Sequence, residues 1–182
     1  LFFEHRSGRP FSWVFDNDAN GDDIGDNDLL FVPNPGEAIF VDGDGNPDPV
    51  GEAAFFDLVA ANSVLADAQG GVVGRNTDRS PTVETLDISF IQQIDIGRFG
   101  MLEAFFSIEN LLNMIDSDWG LINEVPFEFV AEVVNLEGFD ADTGLPLFNF
   151  TPGDDREDAL EQVDDIPGQS RWAAQLGVRY RF

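Results

Sequence analysis

The sequence predicts a mainly β protein, in which antiparallel strands of a transmembrane β-barrel are joined by long acidic segments carrying a short helix and a small hairpin. Three observations predict this fold. Segments 86–113 and 171–182 alternate apolar and polar residues and hold only four of the 35 acidic residues. Segments 16–67 and 114–168 hold 28 of them and are punctuated by Gly and Pro. No apolar run approaches the roughly 20 residues of a membrane-spanning helix, whereas barrel strands alternate and escape that test.

The first half of the chain predicts two strands, a loop and a helix. Residues 1–6 and 9–16 are rich in aromatic and β-branched residues, which favours strands, and a third short strand is expected at 29–32. The segment between them is polar. Residues 52–68 place apolar side chains on one face at helical spacing, and Gly70 follows, so a helix is predicted there.

The second half predicts two hairpins. Residues 85–96 and 101–113 alternate in polarity on either side of a tight turn at 97–100. Residues 127–136 and 145–150 flank a turn-like acidic segment and form the second, smaller hairpin.

The last eleven residues predict a closing membrane strand. Side chains alternate faces along a strand, so one face is wholly apolar and the other is small or polar. The length matches the 9–11 residues of a tilted barrel strand, and aromatic residues lie at both ends, where barrels carry aromatic girdles. A half-buried strand of a soluble sheet is the alternative. The residues of this strand that carry the prediction are Trp172, Leu176, Val178, Tyr180 and Phe182.

That ending resembles the β-signal of outer-membrane proteins, a final strand closing in Phe that the barrel assembly machinery recognises. Further motifs resemble TonB-dependent receptors, most of all the Oar-like branch. In chain order they are the SGRPFS run at 7–12, NGD at 20–22, NDLLFVP at 27–33, IENLLN at 108–113 and GVRYRF at 177–182.

The resemblance implies energy-coupled uptake of a large or scarce solute across the cell outer membrane. It also implies a plug domain with a TonB box and a barrel of about 22 strands. The chain offers no plug and four or five candidates for membrane strands, at 1–6, 85–96, 101–113 and 171–182, with 9–16 as the fifth. Residues 1–182 are therefore expected to be the C-terminal part of such a receptor, a partial barrel. The expected partners are outer-membrane lipid, the assembly machinery, and the plug domain and TonB of the full-length protein.

Barrel topology assigns the sides of the membrane. Short turns face the periplasm and long connections face outside, so the turn at 97–100 is expected to be periplasmic. Segments 16–84 and 114–170 are expected to be extracellular loops. The polar faces of the strands should then line the lumen, with Asp87, Glu103, Ser107, Glu109 and Gln175.

Two acidic runs have the spacing of calcium ligands, since Ca²⁺ prefers several oxygen donors around a sharp turn. In the first, Asn27 takes the place of the closing Glu of an EF-hand loop, and in the second two prolines restrict the chain. The alternative is an acidic turn held by side-chain hydrogen bonds. No other cofactor is predicted. The first run comprises Asp16, Asp18, Asn20 and Asp22, and the second comprises Asp42, Asp44, Asn46 and Asp48.

The sequence predicts no enzyme and no nucleic-acid partner. His5 is the only histidine, there is no nucleophile elbow or phosphate-binding loop, and Asp142-Thr143-Gly144 occurs as a single copy. With 35 acidic against nine basic residues, all Arg, the chain repels nucleic acid. Two other functions stay open, an acidic calcium-binding β-domain of a surface adhesin and a porin-type barrel.

Overall fold

Strands hold 42% of the residues and helices 16%, so the protein is mainly β, with largely antiparallel sheets that, over the described residues, do not close into a barrel. The computed structural model describes residues 1–25, 27–151, 161–163 and 169–182. Within these ranges the strands are β1 (Phe2–Arg6), β2 (Pro10–Phe15), β3 (Phe31–Val32), β4 (Ile39–Phe40), β5 (Gly71–Val72), β6 (Asp78–Arg79), β7 (Val83–Asp95), β8 (Met101–Glu109), β9 (Asn123–Glu124), β10 (Val130–Phe139), β11 (Pro146–Asn149), β12 (Glu161–Gln162) and β13 (Ala173–Arg181). The helices are α1 (Pro49–Ala61), α2 (Ser63–Asp67), α3 (Leu111–Ile115) and a 3-10 turn (Gly97–Phe99).

The chain divides into two units. The first, here called the sheet unit, comprises Leu1–Gly8, Pro81–Glu124 and Gln162–Phe182. The second, the core unit, comprises Arg9–Ser80 and Val125–Glu161.

The sheet unit is built on four antiparallel strands in the order β1-β7-β8-β13. The predicted hairpin is confirmed: β7 and β8 pair, and the Ile96 amide donates to the Gly100 carbonyl across the turn at 2.9 Å. The strand predicted at the end of the chain is also confirmed, and β13 pairs with β8 from Ala173 opposite Glu109 to Arg181 opposite Met101. Residues 1–6 add the fourth strand beside β7.

The core unit contains a mixed sheet in the order β4-β11-β10-β2-β6. Strands β2 and β10 run parallel, as do β4 and β11, while β10 and β11 form the predicted small hairpin. Aromatic side chains dominate its interior. The largest fully buried ones are Trp13, Phe11, Phe55 and Phe148.

The predicted helix at 52–68 forms as two helices instead of one. Asp48 caps α1, accepting hydrogen bonds from the amides of Val50 and Gly51, and Pro49 opens the first turn. Asn62 then adopts an extended backbone and caps α2 with its side chain. Because Asn competes for local backbone donors, it divides a segment that the apolar spacing alone presents as continuous.

Two expectations for the core unit are corrected. Residues 9–16 are not a membrane strand: β2 is an inner strand whose Phe11, Ser12, Trp13, Val14 and Phe15 are all buried, so both of its faces are covered by protein. The long acidic segments are not merely loops with a helix and a hairpin. Their scattered apolar residues pack together in one hydrophobic core. Because these residues lie far apart in the sequence, local sequence patterns do not predict this core.

Among the described residues, no helix is long and apolar enough to cross a membrane.

Candidate functional site

One face of the four-stranded sheet, here called the apolar face, is lined almost entirely by apolar side chains. Residues directly opposite each other in neighbouring strands point to the same side of a sheet, so the register defines this face. Gln92 is one exception, and its amide group donates to the Gln93 carbonyl. The paired side chains of His5 on β1 and Glu84 on β7 are the other. The members are Phe3 of β1, Leu86, Ile88, Phe90 and Ile94 of β7, Leu102, Ala104, Phe106 and Ile108 of β8, and Ala174, Leu176, Val178 and Tyr180 of β13.

The side chains of the apolar face are widely exposed. Leu176 is 81% exposed, Val178 67% and Phe90 58%. Trp172, Tyr180 and Phe182 are exposed as well. All five residues on which the prediction of the last strand rests therefore have exposed side chains. A contiguous apolar patch spanning several strands is uncommon on a monomeric soluble protein and marks an interaction surface.

The opposite face of the sheet, the polar face, carries charged and hydrogen-bonding groups. The side chain of Glu103 is only 9% exposed and forms an ion pair with Arg179 at 3.0 Å. The other carboxylate oxygen of Glu103 lies 3.8 Å from the guanidinium group of Arg181 and also accepts a 2.8 Å hydrogen bond from the Gln93 side chain. The register confirms that the polar residues expected to share a face do so: Asp87, Glu103, Ser107, Glu109 and Gln175.

Phe105 is the large apolar side chain at the centre of the polar face. Its ring covers Gly177 on the neighbouring strand so closely that a Cβ atom added at Gly177 would overlap it. An aromatic ring over a cross-strand glycine fills the gap that the missing side chain leaves. The glycine in the predicted GVRYRF ending is therefore required by its neighbour in β8.

Aromatic residues lie at both ends of the closing strand. At the end with the turn, the Tyr180 hydroxyl donates to the Phe99 carbonyl, and the Tyr180 and Phe182 rings lie 6.1 Å apart. Arg98 lies over the Phe99 ring at 4.8 Å. Trp172 precedes the strand at its other end. This arrangement has the form of the aromatic girdles that flank the apolar band of a membrane barrel.

Two asparagines fix the end of β8. Asn110 is fully buried in a left-handed conformation (φ 51°), and its amide group donates to the carbonyls of Gly120 and Gln169. Asn113 donates to the carbonyls of Ser117 and Trp119, both at 3.0 Å. Sequence reasoning used these residues only for a family resemblance and missed this role. The available signal in the sequence was an Asn directly after a strand, because Asn adopts the left-handed conformation more readily than most residues do.

The first candidate calcium run forms a closed network of its own. The Asp18 carboxylate accepts hydrogen bonds from the amides of Gly21 and Asp23 at 2.7 and 2.8 Å, and Asp28 accepts from those of Ala19 and Asn20. Desolvation is the largest single influence on Asp18 and raises its pKa, but the backbone amides that Asp18 accepts from, led by those of Asp23 and Gly21, together hold this pKa below its ordinary value. Asp16 instead accepts from the Asn135 side chain at 2.9 Å.

The second run is also a hydrogen-bonded turn. Asp42 accepts from the Asn46 amide at 2.8 Å, and this bond is the main reason that the pKa of Asp42 lies below its ordinary value. Asp48 is engaged as the cap of α1. Across the parts of the chain that the structure describes, no three Asp, Glu or His side chains are grouped to hold a metal ion. Calcium binding by either run stays a prediction.

His5 and Thr143, two residues considered for catalysis, have local partners. The His5 ring lies 2.9 Å from a carboxylate oxygen of Glu84 on the neighbouring strand. Thr143 donates its hydroxyl to Asp140 within the β10–β11 turn.

A comparison of the chain with protein-family models, curated proteins and solved structures finds no match.

Proposed function

We propose that the sheet unit forms part of the wall of a transmembrane β-barrel in the bacterial outer membrane. The apolar face would contact lipid and the polar face would line the lumen. The observation that carries this proposal is the apolar face that continues across β1, β7, β8 and β13, half-buried or buried on β8 and exposed at Phe3, at Phe90 and along β13. Covering a side chain such as Leu176 or Val178 contributes about 1.5–3 kcal/mol, so these residues together provide a large driving force toward lipid.

The edges of the sheet support the same proposal. Among the described strands, β1 and β13 each have a partner on one side only. An edge strand exposes unpaired amide and carbonyl groups, which lipid cannot satisfy. A membrane location therefore requires further strands at both edges, as in a closed barrel.

The connections of the sheet fit a barrel topology. Arg6 lies opposite Val83, and Glu109 lies opposite Ala173, so both long excursions of the chain leave the sheet at the same end. The tight turn Gly97–Phe99 lies at the other end. Because barrels place short turns in the periplasm, the long excursions would be extracellular.

Within this architecture, a receptor of the TonB-dependent, Oar-like kind is the proposed function, with energy-coupled uptake of a large or scarce solute. The proposal rests on the order of the motifs from SGRPFS to GVRYRF. Its partners would be outer-membrane lipid, the barrel assembly machinery, a plug domain and TonB. The acidic excess argues against nucleic acid.

Cell fractionation tests the membrane proposal. We expect the protein in the outer-membrane fraction, and we expect its gel mobility to change on boiling, because folded barrels resist unfolding by detergent. Recovery of folded protein from the aqueous fraction without detergent would contradict the proposal and favour the acidic adhesin domain.

The coding region upstream of residue 1 tests the receptor proposal separately. A plug domain and a TonB box encoded there are expected. Continuous barrel strands with no plug would instead favour a porin-type barrel.

Calcium binding by Asp16, Asp18, Asn20 and Asp22 is tested by calorimetric titration. If Ca²⁺ binds, the heat should disappear in Asp18→Asn and persist in Asp57→Asn, a matched substitution on α1. No heat in the unmodified chain would contradict this site.

A further inference from the structure

The core unit contains an apolar pocket of about 400 Å³. Its deepest lining residues are Phe15 and Phe148, which are 6% and 0% exposed. Their rings meet edge to face, with centroids 5.6 Å apart. Because these two rings are anchored in the hydrophobic core, the base of the pocket is rigid.

Separate elements supply the other walls. Phe31 of β3 and Val72 of β5 line one part, and Leu136 and Phe139 of β10 line another. Phe139 is 66% and Val72 59% exposed, so apolar surface remains in contact with water at the entrance. The size falls within the range of 300–1,000 Å³ typical of small-molecule sites, and the mainly apolar lining is also typical of them.

Asp28 is the one acidic residue among the described residues that line this pocket. It accepts hydrogen bonds from the amides of Ala19 and Asn20 at 2.8 and 3.0 Å and from the Asn20 side chain at 2.6 Å. An ionised carboxylate offers about four acceptor positions, so Asp28 is held in place and still has acceptor capacity. The three bonds orient the charge without exhausting it.

The wider electrostatic setting has the same sign. The core unit carries 24 of the 35 acidic residues and only four of the nine arginines. The field of such a unit repels anions and concentrates cations near its surface. Apolar walls and negative charge together select a ligand that has an apolar body and a positive charge.

We propose that this pocket binds a small apolar molecule that carries a cationic group. Its apolar body would lie between Phe15, Phe148 and Phe139, and its cation would face Asp28. The site lies wholly within the core unit, so the proposal does not depend on the sheet unit crossing a membrane.

The proposal is tested with three probes that share one apolar body and differ in charge: 3-phenylpropylammonium, 3-phenylpropanol and 3-phenylpropanoate. Their binding to the full chain is measured by calorimetry in a buffer with a non-ionic detergent, with the detergent buffer alone as the blank. We expect the ammonium probe to bind about tenfold more tightly than the carboxylate at low salt. The preference should shrink at high salt because ions screen exposed charges. Equal affinity for the two charged probes, or no binding of the ammonium probe, would overturn the proposal.

Two pairs of matched variants locate the site. Phe139→Ala should weaken the ammonium probe about fivefold, because it removes apolar wall. Phe127→Ala changes another exposed Phe of the same unit, 83% exposed against 66% for Phe139, that does not line the pocket, and should leave the affinity unchanged. Equal effects of the two variants would overturn the assignment.

The second pair tests the charge. Asp28→Asn should reduce the preference for the ammonium over the alcohol, whereas Asp57→Asn should not. The alcohol reports whether the pocket survives the substitution. If Asp28→Asn still binds the alcohol and its preference for the ammonium is unchanged, the role of Asp28 is overturned. If Asp28→Asn no longer binds the alcohol, the same test is made with Asp28→Glu. This variant retains the charge and should retain the preference.

Discussion

Glu103 connects three strands on the polar face of the sheet. Its carboxylate accepts from Gln93 on β7 and pairs with Arg179 and Arg181 on β13. The carboxylate is largely buried while the two arginines are more than half exposed, so solvent screens part of each pair. The cost of losing the carboxylate comes mainly from the hydrogen bonds that it accepts.

Replacing Glu103 with Gln should destabilise the sheet by about 1–2 kcal/mol, because an amide cannot satisfy two cationic donors and Gln93 together. The measurement is the midpoint of urea unfolding. Glu109→Gln is the control, since Glu109 lies on the same strand and face but is exposed. Equal shifts in the two variants would show that the network around Glu103 does not stabilise the sheet.

Gly120 and Gly97 form a natural comparison at the residue scale. Both have positive φ angles, 65° and 62°, so alanine at either position costs about 1–2 kcal/mol in backbone strain. An added Cβ at Gly120 would also collide with the Asn110 side chain, whereas the space around Gly97 is open. Gly120→Ala should therefore lower the thermal unfolding midpoint clearly more than Gly97→Ala. A larger or equal loss in Gly97→Ala would mean that the buried Asn110 contact is not what fixes this strand end.

Acid-rich turns are the elements most sensitive to pH. The pKa of Asp18 is lowered in the folded loop, so its ionised form stabilises that loop at pH values above the ordinary carboxyl value of 3.8. This contribution is lost as the pH falls through the lower native value, when the carboxylate is protonated and accepts the amides of Gly21 and Asp23 less strongly.

Hydrogen-exchange protection of the Gly21 and Asp23 amides should therefore be lower at about pH 2.5 than at about pH 5. Asp18→Asn should show little change over this range, because its side chain does not titrate. Protection that is equal at both pH values in the unmodified chain would contradict the role of Asp18 in the loop.

Strand elements were predictable where a single periodicity sets their faces. Strand β13 alternates larger apolar residues with small or polar ones along most of its length, and β7 and β8 alternate except near Gln92 and Phe105; their pairing follows that pattern. Strand β2 misled the sequence analysis because its alternating aromatics also suit a membrane strand. It lies between β10 and β6 in the sheet, and its side chains are buried in a core whose other members lie far away in the sequence. The predicted helix at 52–68 divides at Asn62 because Asn62 caps α2, and the spacing of apolar residues carries no information about caps.

At the scale of the whole molecule, the chain combines two kinds of unit. The core unit buries its aromatic residues among themselves, as a water-soluble domain does. The sheet unit leaves its largest apolar residues exposed on one face. The candidate membrane surface was predictable, since alternation within each strand defines it. The pocket was not, because Phe15, Phe31, Val72 and Phe139 come from four separate strands.

The central claim is that the apolar face of the sheet meets lipid, and a spin-label scan of β13 tests it most directly. The chain has no cysteine, so single cysteines can be placed at Ala174, Leu176 and Val178 on the apolar face and at Gln175 and Arg179 on the polar face. The labelled chain, carried in the full-length protein that supplies the further strands, is reconstituted in bilayers, and collisions with oxygen and with a water-soluble nickel reagent are measured. The first three positions should favour oxygen, which concentrates in lipid, and the other two should favour nickel. Nickel access that is equal at all five positions would contradict the account.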